Sequence, residues 1–185
     1  LHGIHQGQNA ANAIAAAEAF LGRALGEELV RTVLAEARMP GRMELLSRAP
    51  MIVIDGAHNP AGMRALAATL DGAFHVTGSR RCVIGMLEGR EVDEMIKPLL
   101  NLGFSEFHVC APDSPRAMAA STVAQELRNN GEIVVEHTSA LRALAQAREH
   151  STDEDLIVVC GSLYLIAEVR GELLTIPSRH LRRNG

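Results

Sequence analysis

The stretch that most constrains this chain is Met51 to Pro60, Met-Ile-Val-Ile-Asp-Gly-Ala-His-Asn-Pro. Four apolar residues run without alternation and stop at Asp55. A strand exposed on one face would alternate apolar and polar residues. An unbroken apolar run bounded by polar residues and Gly reads as a strand buried on both faces, so its sheet must be covered on both sides. Asp55, His58 and Asn59 cluster just past the carboxyl end of that run, and Pro60 suits the first position of a helix, where no N–H is needed. Ligands of open α/β sheets gather beyond the carboxyl ends of strands. The plainer reading of the same cluster is an Asx-type turn with helix caps.

The rest of the chain is read around this unit. Ala10, Ala13, Ile14, Ala17 and Leu21 recur at three- and four-residue spacing, which predicts a helix that Gly22 stops. Gly26 to Arg38 reads as a second amphipathic helix, with Leu29, Val33 and Leu34 on one side. Pro40-Gly41 breaks the pattern, and Met39–Gly41 reads as a linker. From Arg42 onward strand and helix alternate. Strands are predicted at Met43–Leu46, Met51–Asp55, Arg81–Gly85, Phe107–Cys110, Ile133–Glu136 and Leu156–Cys160. Helices are predicted at Pro60–Leu70, Val92–Leu100, Pro115–Asn129, from a Thr138 or Ser139 cap to Glu149, and at Ser162–Val169. The basic tail, Arg179 to Gly185, reads as frayed. The alternation argues an α/β fold, a mostly parallel sheet with helices on both faces, preceded by a short helical segment.

Composition excludes several classes. A net charge of −4 argues against a nucleic-acid footprint. No apolar run approaches the ~20 residues that span a bilayer, and no signal segment opens the chain. Cys82, Cys110 and Cys160 each lie in or end an apolar run, as buried reduced thiols of a cytoplasmic protein would. A chain of 185 residues opening on Leu1 is expected to be a piece of a longer protein. No Gly-x-Gly-x-x-Gly follows a strand, and no Walker phosphate loop occurs. The single lysine is Lys97, followed by Pro98. His2 and His5, three apart with Asn9 beyond, allow a metal reading, although a polar helix entry accounts for them too. His75, His108, His137, His150 and His180 read as scattered structural or surface residues.

Two further features can carry chemistry. Arg42, held after Pro40-Gly41, can present a guanidinium fork to a phosphate, unless it is an exposed surface arginine. Gly161-Ser162 puts backbone N–H groups at a helix N-terminus, which suits a carboxylate or phosphate, or is a capped helix and nothing more.

Three segments together resemble the Mur ligase superfamily, and within it the folylpolyglutamate synthase/dihydrofolate synthase branch. His5-Gln6-Gly7-Gln8-Asn9-Ala10-Ala11-Asn12-Ala13 is similar to the segment that closes the family's central ATPase domain. Pro40-Gly41-Arg42-Met43-Glu44 followed by Asp55-Gly56-Ala57-His58-Asn59-Pro60 resembles the linker and first motif of its C-terminal domain. Gly161-Ser162-Leu163-Tyr164-Leu165-Ile166-Ala167-Glu168-Val169-Arg170 resembles its last strand–helix turn. Gly56 favours the folate branch, because the peptidoglycan branch usually carries Tyr there.

The resemblance implies an ATP-dependent ligase that activates a folate or dihydropteroate carboxylate as an acyl phosphate, on which the amine of L-glutamate then acts. Residues 1–38 would end the central ATPase domain, and residues 39–185 would be a Rossmann-like C-terminal domain that closes over ATP. It implies Asn9 on the adenine side, Arg42 on the phosphates, Asp55 on the nucleotide, and His58 and Ser162 near the amino acid, with Arg42 and His58 in catalytic roles. The phosphate loop, the Mg2+ ligands and the reactive lysine belong upstream, so this chain by itself is expected to be inactive. The loop Leu87-Glu88-Gly89-Arg90-Glu91 departs from the family's Asp-Lys-Asp pattern. Two alternatives stay open: another amino-acid ligase of the superfamily, and a non-catalytic nucleotide- or ligand-binding module.

Overall fold

The computed structural model describes residues 3–175. The tail from Arg179 and the histidines at 2 and 180 lie outside the described residues. The chain opens with two helices, α1 (Ile4–Leu21) and α2 (Glu27–Glu36). Gly22 ends α1 in the left-handed region at φ 65°, a conformation that costs glycine least. Neither helix enters the core. α2 buries no residue, and Phe20 stays 89% exposed.

Six strands follow: β1 (Glu44–Arg48), β2 (Met51–Ile54), β3 (Arg80–Ile84), β4 (Phe104–Cys110), β5 (Val134–His137) and β6 (Leu156–Cys160). They stand in one sheet in the order β1-β2-β6-β3-β4-β5. β1 runs antiparallel to β2, joined through a cis Ala49-Pro50 turn, and all other neighbours are parallel. Helices α3 (Pro60–Ala73), α4 (Val92–Ile96), α5 (Ala120–Asn129), α6 (Ala140–Glu149) and α7 (Leu163–Thr175) complete the described chain.

The unalternated run at β2 is explained by its two faces. Val53 packs with Met63, Leu66, Ile84, Phe107 and Leu127, beneath α3 to α5. Ile52 and Ile54 pack on the opposite face with Val83, Val159, Leu144, Leu165 and Val169, beneath α6 and α7. Each such side chain, fully buried, contributes about 1.5–3 kcal/mol relative to exposure. Cys82, Cys110 and Cys160 are buried free thiols, as their positions in apolar runs suggested. Burial pushes the Cys110 thiol up to about 12, with Glu168 adding to the effect, so it is a packing residue and no nucleophile. Among the described residues no helix is long and apolar enough to cross a membrane.

Several element boundaries depart from the sequence expectations. α3 runs through Asp71-Gly72 to Ala73, because buried Phe74 anchors its end and donates its N–H to Leu70. α4 stops at Ile96 since Pro98 has no N–H to extend the ladder. α7 passes Val169 and continues through Gly171 to Thr175. Most consequentially, Pro115–Ala119 is not helical. Met118 N–H donates to Met86 O at 2.9 Å and Glu88 N–H donates to Arg116 O at 2.8 Å. Pairing between the loops after β3 and β4 therefore takes the backbone groups that a longer α5 would have used.

Candidate functional site

The carboxyl edge of the sheet carries two clefts, one on each side of the Asp55–Asn59 segment. The first is built on the turn before β1. Gly41 takes φ 69°, and its carbonyl accepts the Gly56 N–H at 2.8 Å. Met43, unusually for a non-glycine residue, has φ 45°. Asp55 holds that conformation in place. Its Oδ2 accepts the Met43 N–H and its Oδ1 the Ala57 N–H, both at 2.8 Å. Glu44 clamps the other side. Its carboxylate accepts the Gly41 N–H at 2.7 Å and takes the Arg170 guanidinium from α7 at 2.9 Å and 3.1 Å. Burial alone would raise the Glu44 carboxyl, but Arg170 and the Gly41 N–H outweigh it and hold it below the ordinary range, so the clamp is ionised at neutral pH.

Between these clamps sits Arg42. Among the described residues its guanidinium has neither an ion pair nor a hydrogen bond, though it is half-buried. It lines a cleft of about 260 Å³ with Gln6, Asn9, Asp55, Gly62 and Leu66. Asn9 reaches this cleft from α1 and donates to Gln6 Oε1 at 3.2 Å. A guanidinium fixed at its backbone and unsatisfied at its tip suits an anion with paired oxygens. Asp55 lines the same cleft, and both of its oxygens already serve backbone groups, so it also positions the arginine turn.

The second cleft, of about 240 Å³, is lined by His58, Glu88, Arg90, Arg116, Ser162 and Tyr164, among others. His58 Nδ1 lies 2.8 Å from Gly56 O, so that nitrogen donates. Asn59 caps α3 by accepting the Gly62 N–H at 2.8 Å, with Pro60 at the first turn, so the Asx-type reading holds for Asn59 while its neighbours line clefts. Ser162 is fully buried, and its Oγ accepts the Tyr164 N–H at 3.1 Å. The N-terminus of α7 opens here because Gly161 takes φ 103°. A Cβ there would stand 2.6 Å from Gly85 O. Gly161→Ala is therefore expected to lose about 1–3 kcal/mol of stability from backbone strain, read from the urea midpoint.

The five site residues expected from sequence thus fall into two groups, Asn9, Arg42 and Asp55 in one cleft, His58 and Ser162 in the other. Sequence reading missed Arg90 and Arg116 as cleft residues. Arg116 was hidden inside an expected helix, and nothing local marks it. Glu44 and Arg170 lay within recognised segments, but the clamp between them needs a contact spanning the domain.

Comparison with known proteins identifies the family. Residues 41–163 match the model of "Mur ligase, glutamate ligase domain". The dihydrofolate synthase/folylpolyglutamate synthase of Bacillus subtilis is 32% identical over 178 residues, covering 94% of this chain and 40% of the relative. The structure of Mycobacterium tuberculosis folylpolyglutamate synthase complexed with ADP superposes with a TM-score of 0.85 at 32% identity, over 94% of this chain and 41% of that one. A bifunctional folylpolyglutamate synthase/dihydrofolate synthase with Mn, AMPPNP and L-glutamate bound superposes with a TM-score of 0.73 at 28% identity, over 81% of this chain and 35% of the other. The chain therefore spans about two fifths of the length of such relatives. On the family match and on coverage of nearly all its own length, this chain belongs to the Mur ligases, as a glutamate ligase domain akin to that of the folylpolyglutamate and dihydrofolate synthases.

Proposed function

We propose that this chain is the closing domain of an ATP-dependent ligase that joins L-glutamate to a folate or dihydropteroate carboxylate. The carrying observation is the Arg42 guanidinium, braced through its turn by Asp55 and Glu44 and unpaired among the described residues, in a cleft it shares with Asn9. The donor set fits a nucleotide: an amide for a base edge and a forked cation for phosphate oxygens. The likeness to synthases whose structures hold ADP, or AMPPNP with glutamate, supports the same reading. ATP supplies the driving force for activating the carboxylate. Arg42 balances phosphate charge, and docking of this domain excludes water from the activated acid. The second cleft, with His58, Arg90, Arg116 and the α7 N-terminus, suits the carboxylates of glutamate.

The nucleotide cleft does not fit a magnesium ion held by this chain. Asp55 is the one carboxylate among its described lining residues, and both its oxygens are bonded to backbone N–H groups. Mg2+ requires near-octahedral oxygen ligation. The proposal therefore assigns the metal ligands and the phosphate loop to an upstream ATPase domain, of which residues 1–38 form the end. The unpartnered apolar side chains Phe20, Leu29 and Val33 support that assignment.

The test is ligation by the full-length protein with ATP, L-glutamate, and either dihydropteroate or a reduced folate. Glutamate-dependent ADP release with one of these acids is the expected result, and its absence with both refutes the reading. The 185-residue chain by itself is expected to show no ATP hydrolysis above buffer and no ligation. Turnover by the purified chain would contradict the division of labour.

A further inference from the structure

Three of the histidines read from sequence as scattered structural or surface residues converge. His108 on β4, His137 at the end of β5 and His150 at the end of α6 surround the Glu106 carboxylate, on the face of the sheet that α6 covers. Glu106 and His108 are two apart on one strand and so share a face. His150 caps α6 and delivers its ring from the helix above.

Glu106 Oε2 lies 3.1 Å from His108 Nε2 and 3.0 Å from His150 Nδ1, and one ligand atom from each residue lies within 4.8 Å of the others. A tetrahedral ion with bonds of about 2.0–2.1 Å sets its ligand atoms roughly 3.3 Å apart. The His108 ring is wholly buried, yet its Nε2 makes no hydrogen bond, because an N–H there would not align with the carboxylate oxygen it approaches. A buried polar atom left unsatisfied is costly and calls for a partner.

His108 Nδ1 is 3.0 Å from His137 Nε2, so a single shared proton joins the two rings. When Nδ1 donates it, Nε2 of His108 keeps a lone pair aimed into the cluster. His137 then supplies the outer-shell acceptor that orients most metal-binding histidines. The nearby cation is Arg81, whose Nε stands 3.9 Å from Glu106. Asp155 binds the same guanidinium more closely, at 2.8 Å, so the two carboxylates share its charge. The C-terminal end of α6 adds partial negative charge at His150.

We propose that Glu106, His108 and His150 form a site for a zinc-class divalent cation that braces the end of α6 against β4. Two imidazoles and one carboxylate select borderline metals such as Zn2+ over Mg2+ or Ca2+, which prefer oxygen. None of the three ligands lines either cleft, so the role is structural.

The test titrates the chelator-stripped 185-residue protein with Zn2+ by calorimetry and with Co2+ by visible absorption. Wild type is expected to bind one equivalent in the low micromolar range or tighter, with the visible bands of low-symmetry Co2+ and a rise in melting temperature on adding Zn2+. His150→Ala and Glu106→Gln are each expected to weaken binding at least about tenfold and to abolish the melting shift. His150 is part-exposed and Glu106→Gln keeps its shape, so circular dichroism of the two variants identifies one that remains folded. The double variant His2→Ala/His5→Ala should bind as wild type does. No one-equivalent binding, binding unchanged in the folded cluster variants, or binding lost in the His2/His5 variant would each overturn the site.

Discussion

Replacing Arg42 by alanine in the full-length protein should cut turnover by roughly a hundredfold or more while leaving the domain folded. The fold should survive because the backbone of this turn is held by groups other than the arginine side chain. Asp55 binds Met43, Glu44 binds Gly41, and Gly56 binds the Gly41 carbonyl. With no partner for the guanidinium among the described residues, stability should change by less than about 0.5 kcal/mol. Turnover should fall because the charge is needed where phosphate charge develops, a loss of roughly 2.7–4 kcal/mol for one such donor. On the proposed function closure brings the residue to the nucleotide, so the loss should appear mainly in kcat and less in KM. Arg42→Lys should recover part of it at most, because an ammonium lacks the fork. Steady-state kinetics beside thermal melts decide the matter. Wild-type turnover in Arg42→Ala would mean that the arginine takes no part in the reaction.

Asp155→Ala should be the most destabilising single change at the opposite edge of the sheet. This carboxylate is 5% exposed and accepts three hydrogen bonds, from Ser79 N–H at 2.7 Å, Thr152 N–H at 3.0 Å and Arg81 Nη1 at 2.8 Å. It ties the entries of β3 and β6 together. Truncation orphans two N–H groups and leaves the largely buried Arg81 charge with only the more distant Glu106 carboxylate, at 3.9 Å. Removing one partner of such a pair costs about 3–5 kcal/mol. For a domain of this size the melting temperature should fall by on the order of 10 °C. Asp155→Asn, which keeps the shape and one acceptor, should lose less. A change of under about 1 kcal/mol in Asp155→Ala would show that the buried ion pair does not hold this edge.

The same residue sets an acid limit. Burial would raise the Asp155 carboxyl, but the Thr152 and Ser79 N–H groups and Arg81 outweigh it and hold it below its ordinary value of 3.8. The unfolded chain therefore takes up this proton first as pH falls. The stabilisation is complete above the ordinary carboxyl range and is lost through and below it. Melting temperature should fall as pH drops from about 5 toward 3, and Asp155→Asn should flatten that limb.

What the chain by itself determined was the layer order and the segments that hold the chemistry. The apolar run at Met51–Ile54 requires cover on both faces, and the structure supplies it. Ser139 caps α6 and Gly22 stops α1, because caps and left-handed turns are local properties of residue type. Arg42, Asp55, His58 and Ser162 were legible as cleft-lining candidates because each follows a strand or linker end, where side chains leave the sheet.

Tertiary structure decided the rest. Pro115–Ala119 has a helix-like composition, but it surrenders its backbone bonds to the loop after β3 and so carries Arg116 to the second cleft. Asp55 reads as a ligand contact in one dimension and in three is also the brace of a strained Met43. Glu44 and Arg170 are 126 residues apart, and His108 and His137 are 29 apart. Such pairs have no local signature, because their chemistry begins only when strand order and helix cover bring them within about 3 Å.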